Sequence, residues 1–264
     1  MVRQPHEQIE APGISRQRFA VVNLICLPYA GGGASIYAAW QARLPDFIKV
    51  RAVQLPGRES RISEPACRDL DLLQNFIFES VQSCLDQPYV LFGHSNGALL
   101  AFELASRVRG RQFNPPLGLI VSASRSPQAK RPLRKVNNLP HGEFIAELKR
   151  IGGTPAEVLA NPELMALVMP ALRADFAINE TYEYRAHPPL SCPIRAYGGA
   201  DDRSVSSQDL EDWRQQTAAS FSLRRFTGDH FFLRAARDEL FQWLAHDISD
   251  FQSGAVEWRQ GRRP

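Results

Sequence analysis

The residues best suited to chemistry are Gly93-His94-Ser95-Asn96-Gly97, in which a serine stands between two glycines at fixed spacing. A short apolar run that favours a strand (YVLF) precedes them, and a helical pattern (ALLAFELA) follows. A serine between a strand end and a helix start lies in a strained turn, and the flanking glycines let the two elements approach closely. The pattern therefore predicts a nucleophile elbow that exposes the Ser95 hydroxyl at the carboxyl edge of a sheet.

Two backbone N–H groups are expected to stabilise the negative oxygen that forms when Ser95 attacks a carbonyl. One belongs to Asn96, at the positive end of the helix dipole. The second is expected from the glycine-rich loop PYAGGGAS (28–35), which leaves a buried strand predicted at 19–27. Within this loop we favour the N–H of Ala30, and a plain flexible turn is the alternative.

A serine hydroxyl is a weak nucleophile at neutral pH, so it needs an adjacent base that is itself oriented by a carboxylate. For a serine on such an elbow the chain order is Ser, then Asp or Glu, then His. This order favours His230 as the general base, because it follows a predicted strand late in the chain. His246 lies in the last predicted helix and is assigned to packing or to the surface. The order rejects the histidines that precede the acidic loop, which are His6, His94, His141 and His187.

The orienting carboxylate is expected from the loop GGADDRSV (198–205). Adjacent loop side chains generally point in different directions, so only one of Asp201 and Asp202 should reach His230. Asp202 fits a G-x-x-D-x-x-V arrangement and is favoured, with Asp201 as the alternative. Asp229 is assigned to turn formation.

Strand and helix patterns alternate along most of the chain, which predicts an α/β fold with a mostly parallel sheet and right-handed crossovers. From 125 to 189 the alternation breaks, and we interpret this segment as a helical lid over the catalytic edge, with ordinary connecting helices as the alternative. A flexible arm (1–17) and a disordered tail (253–264) are expected around one α/β-hydrolase domain (18–252). Further strands are predicted at 49–55, 117–123, 193–198 and 221–226, and helices at 36–44, 69–86, 143–151, 155–160, 162–183, 210–217 and 238–248.

Composition excludes several classes of protein. A net charge of +3 over 264 residues is too small to indicate nucleic-acid binding. The four cysteines form no C-x-x-C pair and have no histidine cluster near them, so neither a metal site nor a disulfide framework is predicted. The first residues lack the apolar core of a signal peptide, and no run is long enough to cross a membrane. We therefore expect a cytoplasmic protein and, by default, a monomer.

Seven motifs together resemble the type II thioesterases of polyketide and nonribosomal-peptide synthesis: LPYAGGGAS, LPGRE, FGHSNGALLAFELA, LPHGEFIAELKRIGGTP, MPALRADF, GGADD and GDHFFL. The resemblance covers about Leu24 to Leu244, and its block LKRIGGTP…LMALVMPALRADF is more specific than the G-x-S-x-G shared by many hydrolases. It implies an α/β-hydrolase, without cofactor, that hydrolyses acyl groups from the phosphopantetheine thiol of acyl or peptidyl carrier domains. The catalytic residues carry over as Ser95, Asp202 and His230.

The resemblance also carries one departure and one shared pattern. Family members usually have Met after the nucleophile, whereas this chain has Asn96, so we expect an altered acyl preference. Arg58 and Arg61 belong to the family's PGR pattern, and we expect Arg58 to anchor its loop through hydrogen bonds rather than to contact substrate.

A basic segment at 125–135 offers a docking surface for the acidic helix of a carrier domain, with a solvated loop as the alternative. The candidate docking residues are Lys130, Arg131, Arg134 and Lys135. Two other functions stay open: an esterase, lactonase or acyltransferase on the same residues, and a non-catalytic scaffold that binds carrier proteins.

Overall fold

The computed structural model describes residues 20–129 and 135–260. Its centre is a six-stranded sheet in the order β2-β1-β3-β4-β5-β6, and every neighbouring pair of strands is parallel. This confirms the predicted α/β fold. The strands are β1 (Val22–Leu27), β2 (Ile48–Ala52), β3 (Tyr89–His94), β4 (Gly118–Ser122), β5 (Ile194–Gly199) and β6 (Phe221–Phe226).

Seven α-helices accompany the sheet in the described part of the chain, and both faces of the sheet are covered, as a parallel sheet requires. Apolar side chains of α1, α2 and α6 form the core on one face, and those of α7 form the core on the other. The helices are α1 (Leu70–Val81), α2 (Asn96–Val108), α3 (His141–Ile151), α4 (Ala156–Ala160), α5 (Pro162–Thr181), α6 (Ser207–Glu211) and α7 (Arg237–Gln260).

The strand order places the important loops together. The chain leaves β1 for β2 on one side and returns to add β3 on the other, so the loops after β1 and β3 diverge at a topological switch point. Leu27 at the end of β1 pairs with Gly93 near the end of β3. The glycine-rich loop and the elbow are therefore neighbours at the carboxyl edge of the sheet.

The helix predicted at 36–44 is wrong. The chain there forms a short 3-10 helix (Ala34–Tyr37) followed by turns, with i→i+3 hydrogen bonds such as Trp40 N to Tyr37 O. Tyr37 and Trp40 still pack against each other, with ring centroids 4.9 Å apart, because the hydrogen bond from the Trp40 N–H to the Tyr37 carbonyl closes a turn with the same i→i+3 spacing. The aromatic spacing therefore does not distinguish the two kinds of helix.

The predicted ends of three other helices also need correction. The helix predicted at 69–86 ends as an α-helix at Val81, and the one predicted at 210–217 is α6 followed by a 3-10 helix (Asp212–Gln216). The last helix continues well beyond the predicted 248, so residues 253–260 of the expected disordered tail are helical. The Phe251 ring is buried against Gly118 of β4, and the Gln252 side chain donates to the Ala20 carbonyl. These two contacts hold the extension of the helix against the sheet. The arm at 1–17 and the tail after 260 lie outside the described residues.

The described part of the segment from 125 to 189 contains three helices, α3, α4 and α5, joined by turns and irregular chain, and it contains no strand. Helix α5 runs unbroken through Pro170. These helices share a small core of their own, formed by Val136, Phe144, Leu148, Met165 and Leu172. Among the described residues, no helix has the length and apolar character needed to cross a membrane, and no group of three or more His, Cys, Asp or Glu side chains is arranged to hold a metal ion.

The junction between β3 and α2 generates a stability prediction. A Cβ on Gly93 would overlap the backbone of Gly97, which cannot move aside, so Gly93→Ala should lower the free energy of unfolding by about 2–3 kcal/mol. Gly142 in α3 has open space around its Cα, and Gly142→Ala is the matched control, expected to keep or slightly raise stability. Urea unfolding measures both; equal stabilities for the two variants would contradict this account of the junction.

Candidate active site

Ser95 occupies the predicted elbow between β3 and α2. Its backbone has φ 54° and ψ −117°, a conformation that residues with a Cβ rarely adopt. The Ser95 N–H donates to the Ser122 carbonyl at the end of β4, 2.7 Å away. A Cβ on Gly97 would overlap the backbone of Leu27, so both flanking glycines allow a close approach that larger residues would prevent. The turn is thus held on both sides by backbone.

His230 connects Ser95 to Asp202. Its Nε2 lies 3.0 Å from Ser95 Oγ, and its Nδ1 lies 2.7 Å from Asp202 Oδ2. An Nδ1–H that donates to the carboxylate leaves Nε2 unprotonated and able to accept the serine proton. The structure therefore brings together the three side chains that the sequence predicted. In the sequence, His230 is 28 residues from Asp202 and 135 residues from Ser95.

The Asp202 carboxylate is held by its own loop. Its Oδ1 accepts hydrogen bonds from Ser204 Oγ (2.6 Å), the Ser204 N–H (2.7 Å) and the Val205 N–H (3.2 Å). Burial acts to raise the pKa of Asp202, but hydrogen bonds and charge attraction from His230, together with Ser204, outweigh burial and lower the pKa to about 2. Asp202 is therefore ionised at neutral pH. Sequence reasoning missed Ser204, although Asp-x-Ser is a common signal for such a turn.

The neighbouring acidic residues have other positions. Asp201 is exposed, and the structure places Asp202 rather than Asp201 against His230. Asp229 Oδ1 accepts the Phe231 N–H at 2.8 Å, which is the turn-forming role that the sequence predicted.

His94 lies beneath this site and is fully buried. Its Nδ1 is 2.9 Å from Ser122 Oγ. Burial, with a smaller contribution from His230, lowers the pKa of His94 well below its ordinary value. The ring is therefore neutral and packs against Tyr29 and Phe231, with ring centroids 5.8 and 5.9 Å from its own.

The loop after β1 turns tightly at the residue predicted as an oxyanion donor. The Gly32 N–H donates to the Tyr29 carbonyl (2.9 Å), and Gly31 has φ 75°, so Ala30 is the second residue of a type II-like turn. Asn96 is the first residue of α2, where backbone N–H groups have no partner within the helix. One predicted donor, Ala30, thus lies in the loop after β1, and the other, Asn96, directly follows Ser95 at the start of α2.

Helix α5 approaches the elbow and the loop. The Asn96 side chain is buried, and its Oδ1 accepts from Asn179 Nδ2 at 2.7 Å. Asp175 accepts from the Gly31 N–H at 2.7 Å and pairs with Arg58. Arg58 therefore anchors its loop, as predicted, but sequence reasoning missed its partner on α5. The effect of Asn96 on acyl preference stays a prediction.

The structure describes the predicted docking surface only in part. Lys130, Arg131 and Arg134 lie outside the described residues, and Lys135 is exposed.

Comparisons with known proteins agree with this geometry. The thioesterase domain family matches residues 22–248. The gramicidin S biosynthesis protein GrsT of Aneurinibacillus migulanus is 39% identical over 229 residues, which cover 87% of this chain and 90% of that protein. The thioesterase PikA5 of Streptomyces venezuelae is 36% identical over 88% of this chain and 81% of its own.

Solved structures give the same result. The type II thioesterase BorB from the borrelidin biosynthetic cluster superposes with a TM-score of 0.79 at 39% identity, covering 86% of this chain and 93% of its own. ClbQ from the colibactin pathway has a TM-score of 0.83 at 30% identity, covering 88% of this chain and 99% of its own. The α/β-hydrolase fold and the resemblance to type II thioesterases are both confirmed, and the chain belongs to the thioesterase family, whose members hydrolyse thioesters.

Proposed function

We propose that this thioesterase removes acyl groups from the phosphopantetheine thiol of acyl or peptidyl carrier domains, and so clears stalled or misprimed intermediates of polyketide or nonribosomal-peptide synthesis. The observation that carries the proposal is the hydrogen-bonded series Ser95–His230–Asp202 in a chain of this family. The relatives GrsT and BorB belong to the biosynthesis of such products, which supports the choice of substrate.

In the first half of the proposed reaction, Ser95 Oγ attacks the thioester carbonyl while His230 Nε2 takes the hydroxyl proton. The carbonyl oxygen becomes an oxyanion, which the backbone N–H groups of Ala30 and Asn96 stabilise. The ionised Asp202 stabilises the imidazolium. The C–S bond then breaks, His230 returns its proton to the leaving thiolate, and an acyl-serine remains.

In the second half, water replaces the thiol. His230 takes a proton from water as the water oxygen attacks the acyl-serine, and the same two N–H groups bind the second oxyanion. The bond to Ser95 Oγ then breaks, His230 protonates that oxygen, and the carboxylic acid leaves. The side chains and water supply every proton and electron pair, so the proposed reaction uses no cofactor.

The proposal also covers the acyl channel, the partner protein and the cellular location. Residues 125–189 act as a lid that shapes the acyl channel, since α5 contacts both the elbow and the loop beside it. The partner is a carrier domain, the enzyme works as a monomer, and its location is the cytoplasm, where such synthases act.

Acyl-carrier proteins loaded with several acyl groups provide the test. Mass spectrometry after incubation with wild type should show free phosphopantetheine thiol, and Ser95→Ala should slow its release by several orders of magnitude, because the nucleophile is lost. Persistent thioesters with wild type, together with rapid hydrolysis of simple oxoesters, would instead favour an esterase.

The same assay tests the expected effect of Asn96 on acyl preference through the variant Asn96→Met. If Asn96→Met and wild type hydrolyse acyl groups of different chain length with the same relative rates, Asn96 does not alter the acyl preference.

The two adjacent aspartates give a matched pair of variants. Asp202→Asn should lower kcat by about 10³-fold or more, because the amide no longer stabilises the imidazolium or fixes its tautomer. Asp201→Asn leaves the His230 contacts in place and should keep kcat nearly unchanged. Steady-state kinetics measures kcat for both variants. A large loss of kcat in Asp201→Asn and a small one in Asp202→Asn would assign the orienting carboxylate to Asp201.

Docking of an acidic carrier helix at 130–135 predicts a dependence on salt and on charge. Raising the ionic strength should increase KM for acyl-carrier protein but not for an acyl-N-acetylcysteamine thioester, which lacks the protein. Combined neutralisation of Lys130, Arg131, Arg134 and Lys135 should have the same selective effect. A KM for acyl-carrier protein that ignores both changes would place docking elsewhere.

A further inference from the structure

Arg58 and Asp175 form a buried ion pair next to the glycine-rich loop. Arg58 Nη1 lies 2.6 Å from Asp175 Oδ2, and Arg58 Nη2 lies 3.0 Å from Asp175 Oδ1, a two-pronged geometry. The two residues are 5% and 0% exposed. The arginine belongs to the loop after β2 and the aspartate to α5, so the pair joins the sheet domain to the helical segment across 117 residues of sequence.

The same carboxylate also holds the loop that carries Ala30. Asp175 Oδ2 accepts the Gly31 N–H at 2.7 Å, and Arg58 Nη1 donates to the Gly32 carbonyl at 3.3 Å. The Ala30–Gly31 peptide is therefore fixed by Asp175. The preceding peptide, which contains the Tyr29 carbonyl and the Ala30 N–H, is fixed by the Gly32 N–H. Both peptide planes around Ala30 are thus held in one orientation.

Helix α5 touches the loop at a second point. Leu172 lies three residues before Asp175, so both side chains share one face of the helix. A Cβ on Gly31 would overlap the Leu172 side chain, and the positive φ of Gly31 also requires glycine. The loop and the helix are therefore in close contact on both sides of Gly31, at the Leu172 side chain and at the Asp175 carboxylate.

Stability alone does not account for such a pair. The cost of removing two charges from water largely cancels their attraction, so a buried ion pair adds little stability over apolar residues of similar size. Its main effect is on geometry. The arginine donates two parallel hydrogen bonds to the carboxylate, which also accepts a third, and together these bonds fix the relative orientation of the two side chains and the loop.

We propose that Arg58 and Asp175 are positioning residues that hold the Ala30 N–H toward the oxyanion and make its orientation depend on the seating of α5. This deepens the proposed function and rests on it. Displacement of α5 removes the acceptor of the Gly31 N–H, so the oxyanion site is complete only while the helical segment is closed over it.

Two double variants separate this role from a structural one. Arg58→Met/Asp175→Leu removes both charges without leaving one unpaired, and it also removes the acceptor of the Gly31 N–H. Arg58→Met/Asp175→Asn removes the same ion pair but keeps an oxygen that can accept this N–H. Arg214→Met/Glu211→Leu removes an exposed arginine–carboxylate pair and is the matched control, expected to keep wild-type kcat.

Activity toward a p-nitrophenyl ester and affinity for an alkylboronic acid are the readouts. Boron forms a tetrahedral adduct with Ser95 Oγ, and one of its oxygens takes the place of the oxyanion. We expect the Leu double variant to lose about 10- to 100-fold in kcat, with KM nearly unchanged and a parallel loss of boronic acid affinity. The Asn double variant should recover most of both losses.

Three results would overturn the proposal: a Leu double variant with wild-type kcat, equal losses in the Leu and Asn variants, or a loss confined to KM. Circular dichroism and thermal unfolding show whether each variant is folded. If a double variant does not fold, Asp175→Glu, which keeps the charge but moves the carboxylate by one methylene group relative to the Gly31 N–H, should lower kcat and boronic acid affinity together by about 3- to 10-fold, and a change in neither would also overturn it. Failure of wild type on acyl-carrier proteins would reject the proposed function, while the order of the variants on the ester and boronic acid still decides this inference.

Discussion

The structure depends on one tight backbone junction, where β3 meets α2 at Ser95. A residue with a Cβ holds a positive φ only when its surroundings enforce it, and here the enforcing contacts come from backbone on both sides. Gly93 and Gly97 let strand and helix meet at van der Waals distance. The strain has a direct consequence, because it points the serine hydroxyl away from the sheet and toward the loops that carry its partners.

The parallel sheet supplies those partners. The carboxyl ends of all its strands meet at one edge, so the loops after β1, β3, β5 and β6 converge although they are far apart in sequence. The loop after β5 carries Asp202, and the loop after β6 carries His230. Each functional group stands on a short loop anchored to a buried strand, which keeps the hydrogen-bonded series within 3.0 Å at each contact. Helix α5, which belongs to the long connection between β4 and β5, forms a further side of the site.

Sequence reasoning found the features that local patterns encode. Buried strands appear as continuous apolar runs, and the elbow has a fixed spacing, so the sheet and the positions of Ser95, Asp202 and His230 could be predicted. The 3-10 helix at Ala34–Tyr37 was missed because aromatic residues three apart fit both helix types. The extent of α7 was missed because the polar composition after 252 hides the contacts that hold Phe251.

Long-range polar pairing was the least accessible feature. Arg58 was correctly expected to anchor its loop, but nothing local indicates a partner 117 residues away on another element. A buried charge is costly unless it is paired, so these two charges can be buried only when the fold brings them together. The same holds for Asn96 and Asn179, whose contact depends on how α5 seats over the elbow.

The central claim is that His230 makes the hydroxyl of Ser95 reactive. The most direct measurement is the rate of covalent labelling by a fluorophosphonate, with the modified residue identified by peptide mass spectrometry. The account predicts rapid labelling of Ser95 in wild type and a loss of several orders of magnitude in His230→Ala. Labelling that proceeds at the wild-type rate without the imidazole, or that modifies a different residue, would contradict it.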